Sequence, residues 1–357
     1  MPISQVPFAG ISNPVNFRNR IINGNMTIDQ RNAGASVTLD GSGVYPVDRF
    51  RCVESTDGGM TGEQVQDAPT NFTDSLKITT TTADGTLAAT QFCSVDQFIE
   101  GYNVADLNWG TANAKSVTLS FYVKSSLTGT FGGCLVNSAD NRSYVFTYSI
   151  SSASTWEYKT ITIEGDTSGT WLTNNGRGIG VRFGLGVGST YSGTADTWTG
   201  SFLLSATGAV SVIGTLNATW QITGVQLEAG EQASGFEFMP IDTNLGRCFR
   251  YYYLHVSGAS NLPIGGGGYY SSTQIFMDIK LPIQMRTSPT LNIVTGTNYY
   301  AIYRNSGTDF FNSFTINQSQ KNQVNLYNNS EVSGTAGHAG TFETNNASSS
   351  VAFSAEL

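Results

Sequence analysis

The sequence is short of charge. Lys, Arg, Asp and Glu make up 12% of its 357 residues, roughly half the usual share of about 25%. Low charge points to disorder only where apolar residues are scarce as well. Here 39% of residues are hydrophobic and 11% aromatic, so the chain is expected to fold. No basic run offers a face to phosphates, and 18 Lys and Arg stand against 26 Asp and Glu for a net charge of −8, which argues against nucleic acid as a partner. A polybasic membrane patch is missing. No apolar stretch approaches the roughly 18 residues of a membrane helix, so no membrane insertion is expected. The opening MPISQVPFAGISNPVNF lacks a basic stretch followed by an apolar one, and no secretory signal is predicted.

The residues of common catalytic chemistry are equally thin. Cys52, Cys93, Cys134 and Cys248 lie far apart without a C-x-x-C pair, so a zinc knuckle or redox motif is unsupported; they read as buried thiols rather than a disulfide framework. Histidine occurs only as His255 and His338, without a G-x-S-x-G elbow or H-E-x-x-H. Both read as ordinary loop or strand residues, and neither a catalytic residue nor a cofactor is assigned. Glycan cleavage needs only two carboxylates across a groove. Glu54, Asp57, Glu63, Glu100 and Asp106 qualify by type, but 26 acids supply such candidates by chance. No repeat of about 20–25 residues marks a parallel β-helix. STDGG (55–59) and EGDTSG (164–169) carry calcium-type oxygens, yet both are ordinary turn chemistry, and no metal is assigned.

What is abundant is glycine, threonine, serine and asparagine among aromatic and β-branched residues, which favours short strands and tight turns. The fold class is all-β. In SVTLSFYVKS, Val117, Leu119, Phe121 and Val123 share one face of a half-buried strand. YVFTYSI (144–150) alternates likewise, and the turn SSAST separates it from WEYKTITIEGD, a spacing that predicts antiparallel pairing of the two. SFLLSATG, AVSVIGT and TWQITGVQLEAG are further strand candidates. In GRGIGVRFGLGVG, glycine fills every even position from 176 to 188 except Arg182, while Ile179, Val181, Phe183, Leu185 and Val187 hold the odd ones. A phosphate loop would need a following Lys-Ser/Thr and helix. The segment reads instead as a strand with one bare face that permits bending or close packing.

This pattern predicts a jelly-roll β-sandwich over residues 21–240 and a smaller β domain over 241–357. In DTNLGRCFRYYYL, Leu245, Cys248, Phe249 and Tyr252 form a helical stripe, with Asp242 or Thr243 as N-cap; this short helix joins the two domains. Residues 1–20, with Pro2, Pro7 and Pro14, read as an extended arm that attaches to a larger assembly or wraps a neighbour, or as a frayed terminus.

Sugar binding is the activity the composition suits. Aromatic faces stack on the C–H face of pyranose rings while amides, carboxylates and backbone groups bond the hydroxyls. Trp109, Trp171, Tyr191 and Trp198 lie near turn-rich segments, and a tip loop near Gly265–Tyr270 presents Tyr269 and Tyr270. These six are the candidate glycan-binding residues; the alternative for the tryptophans is that they fill the core or a subunit interface. One weak site gains by repetition, and paired copies bury sheet edges, so a homo-oligomer is expected.

Three stretches carry a resemblance. NRIINGNMTIDQRNAG (19–34), followed by Tyr45 and Asp48-Arg49-Phe50, resembles the opening motif of phage and prophage tail-fibre proteins. WQITGVQLEAGEQASGFEFMPIDTNLGRCFRYY (220–252) resembles the junction these proteins place after a carbohydrate-binding-module-like jelly roll. KLPIQMRTSPT (280–290) resembles a strand and turn of their C-terminal domain. The resemblance implies a virion surface protein, often trimeric, made in the host cytoplasm and carried on the virion. Its partners would be other tail or head proteins, met through the arm, and a host-surface glycan. It implies no catalytic residues. Gly246 stands where the family commonly has a helix-favouring residue, so a short junction helix is expected. A head decoration or tail adaptor without a receptor, and a glycan depolymerase, are the alternatives.

Overall fold

The computed structural model describes residues 17–305 and 307–357. The described chain up to Ile241, with Leu357, forms one compact unit and Asp242–Glu356 another. The protein is all-β, a jelly-roll sandwich followed by a smaller β unit with a short helix at its start.

Two antiparallel sheets build the sandwich. One has the order β1 (Val37–Thr38), β4 (Gly59–Val65), β5 (Ser75–Thr82), β15 (Thr219–Ala229), β7 (Val117–Ser125), β10 (Glu157–Ile163). The other runs β13 (Trp198–Thr199), β9 (Ser143–Ile150), β8 (Gly129–Val136), β11 (Arg177–Val187), β6 (Phe92–Glu100), β3 (Phe50–Ser55), β2 (Val44–Val47). Both sheets supply one core, in which Phe121, Tyr148, Phe183 and Trp220 pack together. The Trp220 indole N–H donates to the Tyr148 hydroxyl at 3.1 Å, which satisfies both polar tips inside apolar surroundings.

The alternation in β7, β9 and β15 forms strands as expected, but β9 and β10 do not pair. The turn between them crosses from one sheet to the other, and β10 pairs antiparallel with β7. Sequence spacing alone cannot tell a hairpin from such a crossover. SFLLSATG contributes only Ser205–Ala206 (β14), parallel to Ser192–Gly193 (β12), and AVSVIGT is no strand. Val212 and Ile213 are nonetheless buried, their N–H groups donating to the Leu185 carbonyl.

The bare face of β11 serves close packing. A Cβ on Gly180 would come within 2.9 Å of Val136, one on Gly184 within 2.9 Å of Ser205, and one on Gly188 within 2.2 Å of the Ala88 carbonyl.

The first sixteen residues of the predicted arm lie outside the described residues. Its end is no arm: Asn19 is buried, and Asn19–Ile28 is an irregular segment sealed into the sandwich. Strand β15 carries a bulge between Thr223 and Gln226, with Gly224 in the left-handed region. The segment bonds the groups at the bulge. Val225 N–H donates to the Gly24 carbonyl, the Asn19 side chain spans the Val225 carbonyl and the Leu227 N–H, and the Arg20 N–H reaches the Leu227 carbonyl. On the other side the Gln97 amide both accepts from and donates to the Ile22 backbone, at 2.7 and 2.9 Å. Asn23, at φ 58°, bridges the Ile28 N–H and the Ile28 and Asp48 carbonyls.

The second unit has a three-stranded sheet, β16 (Tyr252–Ser257), β25 (Ser350–Ser354), β19 (Thr290–Val294). Its seven-stranded sheet runs β21 (Gly307–Phe311), β20 (Tyr300–Arg304), β24 (Ala339–Thr344), β17 (Pro263–Ser271), β18 (Gln274–Lys280), β23 (Gln323–Asn328), β22 (Thr315–Gln320). Helix α1 spans Ile241–Phe249. It begins before the expected cap, so Asp242 sits within its first turn, and Tyr252 falls in β16 rather than on the stripe.

Two outcomes follow. Asn23→Ala leaves the Ile28 N–H without the Asn23 oxygen and takes one donor from the Ile28 and Asp48 carbonyls in the interior, and will destabilise the sandwich by about 1–3 kcal/mol in denaturant titration. All four cysteines are buried, and burial pushes the Cys134 thiol up to about 12. A thiol reagent will find none of the four in the native protein and all of them after denaturation.

Candidate functional site

The six sequence-predicted residues separate into three places. Trp109, Trp171 and Trp198 converge, with ring centroids 4.7, 5.4 and 5.5 Å apart in edge-to-face pairs. Their indole N–H groups are all engaged, to the Lys115 carbonyl, Asp166 and the Glu164 carbonyl. Trp109 and Trp171 belong to the core at 7% and 8% exposure, leaving only Trp198 half-buried. The cluster is tied by Asp166, which receives Arg142 at 2.7 Å on both oxygens as well as the Trp171 indole and the Ser168 N–H. That bond raises the Arg142 guanidinium above its ordinary value. Asp166 is thereby committed to the tryptophan cluster. Tyr191 packs between Phe92 and Phe202 over Cys134, Val136 and Leu204.

The Gly265–Tyr270 segment is not a tip loop. It is strand β17 within the C-terminal sheet, where alternation sends Tyr269 inward and Tyr270 outward. Glycine is required on the inner side: a Cβ on Gly267 would lie 2.0 Å from the Phe276 carbonyl. Tyr269 is 3% exposed, donates to Asp309 and carries the Arg304 guanidinium over its ring. Tyr270 is 73% exposed and packs edge-on against Phe276.

Tyr270 belongs to a larger arrangement on the outer face of this sheet. In β18, Ile275, Met277 and Ile279 are buried while Phe276 and Asp278 point outward; in β23, Val324 and Leu326 are buried while Asn325 and Tyr327 point outward. The register pairs Phe276 with Tyr327 and Asp278 with Asn325. Two parallel rows result. One is aromatic, Tyr270–Phe276–Tyr327, with successive centroids at 5.4 and 6.1 Å. The other is polar: the Asn317 amide donates to Asn325 at 3.0 Å and the Asn325 amide to Asp278 at 2.9 Å. Two residues along a strand separate the rows, roughly 6.8 Å. A groove of about 300 Å³ lies over the polar row, lined by Asp278, Asn317 and Asn325, by Phe276 of the aromatic row, and by Gln318, Gln320 and Gln323.

Sequence reasoning missed Phe276, Asp278, Asn317, Asn325 and Tyr327. The signal was available in QIFMDIK and NQVNLYN, where an aromatic occupies the otherwise polar face of a strand.

No protein-family model and no curated protein matches the sequence. Among solved structures, the chain is similar to a CBM4 module, at 17% identity and TM-score 0.30 over 58% of this chain and 98% of that one. It is also similar to a family 11 carbohydrate-binding module from Clostridium thermocellum in complex with a mixed-linked tetrasaccharide, at 12% identity and TM-score 0.28 over 56% and 99%. A third likeness is to the enzymatically active domain of bacteriophage CBA120 tailspike protein 4, at 10% identity and TM-score 0.33 over 60% of this chain and 22% of that one. At these scores none of them transfers a ligand or a role.

Among the described residues, no group of three or more His, Cys, Asp or Glu side chains is placed to hold a metal. Of the carboxylates considered for catalysis, Glu63 pairs with Lys77 at 3.0 Å and Asp106 with Arg20 at 2.7 Å, while Glu54 closes the Thr56 turn.

Asp166→Ala removes the acceptor for Arg142 and leaves the Trp171 indole only the Ser168 carbonyl. It will cost about 3 kcal/mol of stability, in the range for breaking a buried ion pair, and will shift tryptophan emission as the cluster loosens.

Proposed function

We propose that this chain is a non-catalytic virion protein of the tail-fibre type that binds host-surface glycan through the outer face of its C-terminal sheet. The observation that carries the glycan reading is the pair of parallel rows. A pyranose set on Phe276 and Tyr327 presents its C–H face to the rings and its hydroxyls to the neighbouring amides. Asp278 accepts from sugar hydroxyls with the oxygen that Asn325 leaves open, and the Gln318, Gln320 and Gln323 amides both donate and accept. The groove contains one carboxylate, Asp278, where glycoside hydrolysis takes two; this favours holding the sugar over cleaving it.

The virion role rests on the tail-fibre resemblance of the 19–34 and 220–252 segments, which meet in the structure at the β15 bulge. Display in several copies, a trimer in this reading, raises weak single-site binding by effective concentration.

Phe276→Ala and Asp278→Ala will each weaken binding on a bacterial-surface glycan array by about tenfold, roughly 1.4 kcal/mol, with the melting temperature unchanged because both side chains lie on the outer face. Variants that bind like the parent would overturn this site. Light scattering is expected to give a trimer, and a monomer would remove the multivalent part of the proposal.

A further inference from the structure

The groove is not isolated on its sheet. On the far side of β17 lies a second hollow of about 670 Å³ lined by Tyr303, Arg304, Thr308, Ala339 and Thr341 among others. Tyr303 is 37% exposed and pairs with Thr341, which in turn pairs with Gly266. Gly266 adjoins Asp278, since their neighbours Gly267 and Met277 are paired. One outward row therefore crosses the sheet from Tyr303 through Thr341, Gly266 and Asp278 to Asn325. Its midpoint is bare: a Cβ added to Gly266 would meet nothing within 4 Å, and its φ lies outside the left-handed region. The next outward positions, Gly268 and Ala339, are small as well.

We infer that the two hollows are the ends of one binding strip, and that its ligand is a linear, uncharged oligosaccharide lying across the strands over Gly266. This inference rests on the glycan reading of the groove. Tyr303 to Asn325 spans four strand intervals, roughly 19 Å, longer than a single sugar ring. Both hollows are polar with an aromatic wall, and the low saddle between them has no side chain to block a chain passing over it. The strip's charges do not select for acid. Arg304 is held by Asp309 and the Ser333 carbonyl, and Asp278 would repel a uronate or a sialic acid.

The substitution Gly266→Tyr tests this directly, because the fold has open space at that Cβ while the strip does not. Parent, Gly266→Tyr, Tyr303→Ala and Phe276→Ala proteins are compared on an array printed with neutral bacterial-surface saccharides graded from monosaccharides to long chains. Melting temperature serves as the check on folding. The parent is expected to bind long chains at least tenfold better than monosaccharides of the same type. Gly266→Tyr and Tyr303→Ala should lose that gain and keep the monosaccharide signal, whereas Phe276→Ala loses both. If Gly266→Tyr and Tyr303→Ala bind long chains like the parent while Phe276→Ala does not, the strip is wrong and the groove stands. Preference for acidic chains when the array includes them would overturn the charge argument. A parent that binds no saccharide overturns the glycan reading itself.

Discussion

The sandwich depends on how the bulge in β15 is closed. Inserting residues between Thr223 and Gln226 takes β15 out of register with β7, at the centre of a sheet where water cannot bond the displaced backbone groups. Asn19, Arg20 and Gly24 take up the Val225 and Leu227 groups, and Gln97 takes up the Ile22 backbone that this positions. A Cβ on Gly24 would stand 2.1 Å from the Val225 carbonyl, so only glycine allows the approach. The side-chain amides act as substitutes for strand pairing, which is how a segment with no regular structure bonds its Ile22 backbone and the Val225 and Leu227 groups in the interior. The resemblance motifs at 19–34 and 220–252 are the two halves of this contact, so their co-occurrence in one chain has a physical cause.

Glycine works in the opposite sense in two places. On β11 the bare face is filled, since neighbouring side chains and backbone sit where Cβ atoms would be. On β17, Gly267 and Gly268 have neighbouring backbone where a Cβ would be, but Gly266 faces outward over open space and leaves a dip in the surface. One residue type thus allows close packing where neighbours fill its Cβ position and shapes the surface where none does.

Aromatic residues divide along the same line. Trp109, Trp171 and Trp198 pack edge to face against one another and commit their N–H groups internally, and Asp166 and Arg142 complete the cluster. Phe276, Tyr327, Tyr270 and Tyr303 project from the outer face of the C-terminal sheet, so their rings remain available. The aromatic content that suggested sugar binding is therefore shared between a core that needs it and a face that displays it.

Much of this was readable in the residues. Composition and alternation determined the all-β class, the strands at 117–125, 144–150 and 219–229, the bare-faced strand at 177–187 and the helix after Pro240. These are local matters, set by side-chain period and backbone propensity. Three things were decided only by tertiary structure. Whether 144–150 pairs with 157–163 depended on a chain crossing between sheets. Whether Ile21 and Ile22 lie in a strand depended on bonds between parts distant in sequence, the Asn19 amide with Val225 and Leu227 and the Gln97 amide with Ile22, replacing the ladder. Which aromatics face outward depended on the pairing of β17, β18 and β23, because period 2 assigns each side chain to a face but only the assembled sheet says which face is buried.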